Sequence, residues 1–550
     1  MSGRTLSFML LTIAPWLAVS PLAAGEAVPF DWRGWYIGSH SGGALSLVDV
    51  GNPNGSSIFG GTVRTPGPLA GGQLGYNWQR GAAVFGVEAD MSWADMDGTN
   101  SCFANSGMFI SSNCTAHIDA LGTISGRLGW ALPFDSRTLI FGKAGIATAH
   151  SEIDAVPNSG AGLAGTGTSN WHWGWTLGAG VERAVAPRWT VKAEYDFLGF
   201  DDERFTEPAS LAQETPPGGQ LTATPATGTS VSQDIHVFKI GVNYRFGADN
   251  SFDQEAPRPL PDEHVPVNRT EYKAGVRYVH GWGQFHKDLG IRGQGVGSLA
   301  SRLTYDSPGV DGAEAFARID TSFGLMVKGF VGGASSGGRL NDEDWGLEFE
   351  PTFIPYSNTI SSVDDRIEYW TVDVGYDWWR GATYKIAPFV GYSHFQQNMV
   401  GLGCEQIANP SSDCGSVIPT SVHVITEDDT WRSLRLGTAI DIALAPRLTL
   451  AGEAAYLPYV QFSGTDDHVL RSLLSPEDGH GVGMQLEATL SYALTDALSI
   501  GVGGRYLSMW TTSGEVDFGG TGELVPMRYS AEQAQLLVQG SYKFGFARSP

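Results

Sequence analysis

Hydrophobic and polar positions alternate with a period of two over much of this chain. At 270–279, TEYKAGVRYV, one face collects Tyr272, Ala274, Val276 and Tyr278, and the other takes Lys273, Gly275 and Arg277. At 236–246, Phe238, Ile240, Val242, Tyr244 and Phe246 oppose Lys239, Asn243 and Arg245; at 534–546, Leu536, Val538, Tyr542 and Phe544 oppose Gln535, Gln539, Ser541 and Lys543. Successive side chains of a strand point to opposite faces, so each segment predicts a strand with one apolar face. The opposite faces mix charges with glycine, and Tyr and Trp gather at the strand ends. That is the pattern of a membrane β-barrel, in which lipid replaces the core as the apolar surroundings.

Read this way, the first half holds eight strands, near 34–47, 69–79, 82–95, 116–131, 137–151, 169–184, 187–200 and 231–246. Short links (Gln79–Ala82, Pro133–Ser136, Val185–Pro187) alternate with long ones (48–68, 96–115, 152–168, 201–230). Short periplasmic turns and long outer loops are the asymmetry of an outer-membrane barrel. The segment 248–267 is rich in Pro and acids, has no period and reads as a linker. Ten strands follow, near 270–284, 312–323, 325–338, 363–379, 383–398, 429–443, 447–462, 481–494, 497–511 and 529–546.

The reading is all-β: two tandem transmembrane antiparallel β-barrels, eight-stranded over 26–247 and ten-stranded over 268–550. One eighteen-stranded pore is the alternative. Two barrels are favoured because each half ends in its own aromatic strand, VFKIGVNYRF and LLVQGSYKFGF.

Composition narrows the setting. With 73 Gly, 17 Trp, 18 Tyr and 26 Phe, the 550 residues suit short turns and strands better than helices. The net charge of −24 argues against nucleic acid as a partner. The opening MSGRTLSFMLLTIAPWLAVSPLAAGEA reads as a signal peptide over 1–25, and no other apolar run has the ~18 residues of a membrane helix. Export to an oxidising compartment agrees with the spacing of Cys102 and Cys114, and of Cys404 and Cys414, as two local disulfides. The expected location is the outer membrane, with its lipid and lipopolysaccharide as surroundings.

The opening FDWRGWYIGSHSGG together with VFKIGVNYRF resembles the small opacity-like outer-membrane surface-antigen barrels over about 26–247. The resemblance implies a surface-exposed barrel without catalysis, its narrow interior filled by side chains. Trp32, Trp35 and Tyr36 are expected to be interfacial anchors.

Two acidic stretches in the second half stand out. GGRLNDEDW follows the third strand and holds Asp342 and Asp344; SGTDDH follows the seventh and holds Asp466 and His468. Both are read as outer-rim loops, four strands apart, and each pair is spaced to put its side chains on one face of an extended chain. A carboxylate that fixes an imidazole of near-neutral pKa can activate water, and a second acid couple can hold that water and steady the developing charge. The ten-strand count, the acid pair followed by Trp, and LTLAGEAAYLPYVQFSGTDDH resemble the omptin family of outer-membrane aspartyl endopeptidases over about 268–546. By that resemblance Asp342 and Asp344 take the place of the water-holding couple, and Asp466 and His468 that of the Asp–His dyad. No metal or cofactor is implied, peptide or protein is the substrate, and lipopolysaccharide is an activating partner. The resemblance also implies two further carboxylates for a basic substrate residue; here those positions are Gly464 and, by a looser match, Ser301. Strict alternation sets Asp466 and His468 on the lipid face, in register with Val460 and Phe462. They turn inward only if a bulge or a strong twist intervenes, for which the neighbourhood of Pro458 is the candidate. The competing reading is a non-enzymatic porin-like or surface-antigen barrel, whose acidic segments, Asp364–Asp365 and Glu427–Asp429 among them, only solvate the rim.

Overall fold

A computed structural model describes residues 30–247 and 270–544, apart from short gaps at 56–59, 106–109, 134, 158–162, 214–220, 292–294, 350–351, 382, 409–413 and 415–416. The expected signal peptide and linker lie outside the described residues. Eight strands form the first closed sheet: β1 Gly34–Val50, β2 Thr62–Arg80, β3 Ala83–Asn105, β4 Ile110–Leu132, β5 Asp135–Pro157, β6 Thr166–Ala186, β7 Trp189–Glu207 and β8 Thr227–Arg245. Ten long strands form the second: β9 Glu271–Ile291, β10 Gly295–Asp320, β11 Leu325–Phe349, β12 Thr352–Tyr376, β13 Tyr384–Ala408, β14 Ile418–Ala445, β15 Leu448–His468, β16 Leu473–Ala493, β17 Leu498–Asp517 and β18 Leu524–Phe544. Every strand pairs antiparallel with its chain neighbours, and the first of each set closes on the last: β1 on β8, with Tyr36 opposite Arg245, and β9 on β18, with Tyr272 opposite Phe544. These are two barrels and not one eighteen-stranded ring.

The apolar faces point outward as the alternation predicts. Tyr272, Val276, Tyr278, Leu536, Val538 and Tyr542 are exposed, as are Trp35, Trp78, Trp171 and Trp173 on the first barrel. Exposed apolar side chains on a closed barrel are its lipid contact, flanked by aromatic girdles. Trp32 and Tyr36 correct the expectation of anchors. Both are fully buried: Trp32 donates its indole N–H to the Ser136 carbonyl (2.9 Å) and packs on Phe30, and Tyr36 donates to Glu88 inside the lumen (2.8 Å). Only Trp35 of the three lies on the lipid face.

The strands run well beyond their expected outer ends. The alternation that betrays a strand is imposed by lipid, and above the membrane it gives way to polar sequence although the hairpins continue pairing. So the stretches expected as rim loops, NDEDW and SGTDDH, are strand: Asp342 and Asp344 lie within β11, and Asp466 and His468 end β15. Both expected disulfides are present, Cys102–Cys114 joining the outer ends of β3 and β4, and Cys404–Cys414 closing the outer end of β13.

Candidate functional site

The ten-stranded barrel has a polar outer mouth set on an aromatic floor. Phe462 stacks on Tyr529 at 4.1 Å and packs against Trp431 at 4.6 Å and Phe285 at 6.3 Å; all four are fully buried. On β9, Lys287 lies nine residues beyond the lipid-facing Tyr278; on β15, Asp466 lies seven beyond Tyr459. At a rise of ~3.3 Å per residue both stand ~20 Å or more along the strand past the apolar belt.

How the dyad comes to face this mouth is decided at Pro458. Below it the odd residues of β15 point inward: Glu453 bonds Arg435 (2.9 Å), and Leu457 is buried, while Tyr456 is exposed. The pairing with β14 and with β16 then slips, between Tyr456 and Tyr459 on one side and between Leu457 and Val460 on the other. Above the slip the even residues point inward, so Val460, Phe462 and Asp466 are buried and Tyr459 is exposed. A bulge inserts an unpaired residue and so reverses the faces of everything after it, and proline, with no N–H to pair, suits such a position. Val460 and Phe462, expected on the lipid face, are therefore part of the floor.

His468 Nδ1 lies 3.0 Å from Asp466 Oδ1. The second Asp466 oxygen accepts from Lys287 Nζ at 2.7 Å, and the same ammonium bonds Glu427 and, at 3.1 Å, Glu477. Asp429 is fully buried beside them. Burial disfavours the ionised form of all four carboxyls. At Asp466 the Lys287 ammonium, then His468, outweigh burial and hold the group down at about 2. At Glu427, Asp429 and Glu477 burial and mutual repulsion win, and the carboxyls stay above their ordinary range. One ammonium faces four acids, and only the best-paired acid is securely charged.

Lys287, Leu303 and Asp342 stand directly opposite one another on β9, β10 and β11, as do Leu289, Ser301 and Asp344 one step further out. Lys287 and Leu303 point inward and are buried, so Asp342 and Asp344 share that inward face. The structure thus joins Asp466 and His468 directly. It sets the aspartate pair on the same lumenal wall two strands from Lys287, whose side chain crosses to Asp466.

Sequence reading missed Lys287, Glu427, Asp429 and Glu477. Glu427 and Asp429, expected to be wet rim acids, are completely buried inside the barrel, and Asp365 is buried too, accepting from Ser307 and Gln397. The signal was present: Glu427, Asp429 and Trp431 continue a period-two row. Asp429 also explains Gly464, directly opposite it on β15. A Cβ at 464 would lie 2.5 Å from Asp429 Oδ1, so the glycine leaves room for that buried carboxyl.

Residues 10–246 match the outer membrane protein beta-barrel domain. The chain is similar to the 31 kDa outer-membrane immunogenic protein of Brucella melitensis biotype 1, 27% identical over 263 residues, 44% of this chain and 99% of that protein. It is also similar to a 22 kDa outer membrane protein of Rhizobium leguminosarum bv. viciae, 27% identical over 176 residues, 32% of this chain and 67% of that one. Among solved structures, the outer membrane protease OmpT of Escherichia coli superposes with a TM-score of 0.42 at 12% identity, over 50% of this chain and 97% of that one.

Proposed function

Taking the chain as an outer-membrane β-barrel protein, we propose that its second barrel is an omptin-like endopeptidase whose specificity is no longer dibasic. The observation that carries this reading is the inward turn of Asp466 and His468 at the bulge, which delivers an oriented imidazole to the mouth that also holds Asp342 and Asp344. Asp466 fixes the Nδ1 side of His468 and leaves Nε2 as the base. His468 takes a proton from water while the water oxygen bonds to the peptide carbonyl carbon. The same proton then passes to the amine nitrogen as the C–N bond breaks. Asp342 and Asp344 hold the water and steady the charge. The acids that would receive a basic substrate side chain already surround the chain's own Lys287, so a guanidinium or ammonium in the substrate gains little there. Lipopolysaccharide is the proposed activator.

The test is cleavage of a peptide library by the refolded full chain with lipopolysaccharide. Cleavage that disappears in Asp342→Asn supports the reading; no cleavage of any peptide by the unmutated protein contradicts it. One observation favours a second reading, a non-enzymatic surface barrel: Asp466 is as firmly tied to Lys287 as to His468.

A further inference from the structure

Outward-facing polar residues above the membrane belong in water, yet on β9, β10 and β11 several are sealed. Arg302 and Glu343 are fully buried although both point away from the lumen, the latter between Asp342 and Asp344. What covers them is the disulfide-closed β3–β4 end of the first barrel. Arg302 donates to Ser101 Oγ (3.1 Å), Thr99 Oγ1 (2.9 Å) and Asn113 Oδ1 (2.7 Å), while its Nε holds Asp288 at 2.6 Å. Ser101 donates to Glu343 at 2.5 Å.

These contacts crown a seam that climbs both barrels. Near the periplasmic ends, Val181 and Val191 pack on Ile386, Ile440 and Ile442. Midway, Gly43 faces Met484, and a Cβ there would meet its sulfur at 2.5 Å. Higher up, Arg64 forms a two-pronged pair with Glu532 (2.7 and 2.8 Å) and lies 4.2 Å over the Trp282 ring. Going up, the contacts move from β6 and β7 through β1 and β2 to β3 and β4. On the other barrel they move from β13 and β14 through β16 to β18, β9, β10 and β11. That is the order in which tilted strands cross a vertical line on each barrel. The seam is apolar where lipid would be and ionic where water would be.

We infer that the first barrel is a lateral partner built into the chain, which stays bound without the linker and whose Cys102–Cys114 hairpin clamps the outer strand that carries Asp342 and Asp344. The inference stands on the seam and is independent of whether the mouth hydrolyses peptides.

The test begins with a specific protease site placed in the 248–267 segment and cut in the folded full chain, with an affinity tag on the first half. The halves are expected to co-purify in detergent after cutting. Separation of the unmutated halves overturns the inference. Arg302→Ala with Arg64→Ala is expected to lower the retained second half at least tenfold while both barrels keep their folded, heat-modifiable migration; undiminished retention overturns the assignment of the clamp. Burial pushes the Glu343 carboxyl up to about 8. The groups facing it are Arg302, Ser101, Ser111 and Tyr356, with Asp288 and His286 behind Arg302. A carboxyl raised in the bound state weakens that state as pH rises between its ordinary value and 8. Retention should therefore fall from pH 5 to pH 8.5 and lose that dependence in Glu343→Gln; an unchanged dependence in that variant counts against the clamp.

Discussion

The two barrels fill their interiors differently. In the first, Arg127, Lys143, Lys192 and Lys239 interlock with Glu88, Asp90, Glu182, Glu194 and Asp196, so each of these nine buried charges has an opposite within 4 Å. At the mouth of the second, Lys287 is, among the described residues, the one ammonium that meets Glu427, Asp466 and Glu477, with Asp429 beside them. A balanced network is a filler: it satisfies a polar lumen and demands nothing more. An unbalanced one raises the pKa of its spare carboxyls, which makes the second mouth the candidate site.

The largest effect expected is on hydrolysis. His468→Ala should lower peptide cleavage by ~10²–10⁴-fold, the range for losing a general base, with the barrel still folded. Next is stability. Lys287→Met removes the ammonium that these four acids share, and losing one partner of a buried pair costs ~3–5 kcal/mol. Lys192→Met in the first barrel should cost less, because Lys143 and Lys239 remain beside the same carboxylates. Thermal unfolding followed by gel migration compares the two; equal losses would erase the distinction between filler and site.

A smaller effect is the response to acid. Asp466, held at about 2 in the folded barrel, contributes stability above the ordinary aspartate pKa that is lost as pH falls from about 4 to 2, on the order of 2 kcal/mol. Glu427, Asp429 and Glu477 act in the opposite sense, because their folded pKa values are raised: their cost grows as pH rises above the ordinary carboxylate range. Unfolding against pH, with Asp466→Asn flattening only the acid limb, checks the sign. The smallest effect is on conductance. An aromatic floor in one barrel and an ion-pair network in the other predict no steady open channel in planar bilayers, and a large stable conductance would refute both fillings.

Much of this was legible in the alternation of the chain. Strand count, barrel closure and the outward faces followed from it, because lipid enforces period two wherever it touches a strand. The inward turn of Asp466 was legible as a requirement, and Pro458 as the place to meet it. What lay hidden was above the membrane, where that pressure ends. There β11 and β15 continue through segments that look like loops, and Glu427 and Asp429 look like solvated acids. Lys287 gave no local signal, since its partners lie 140 to 190 residues away. The first-barrel cover over Arg302 and Glu343 was equally invisible, for it joins segments about 200 residues and more apart.

The most direct measurement is peptide cleavage by the protein with Ser463, between the bulge and Asp466, deleted, set beside the unmutated chain. With the bulge kept, removing one residue above it shifts the alternation by one and sends Asp466 and His468 to the outer face. Cleavage by the unmutated protein and none by the deletion, with both folded, is the predicted result. Equal cleavage by the two would show that the inward turn at the bulge does not make the site.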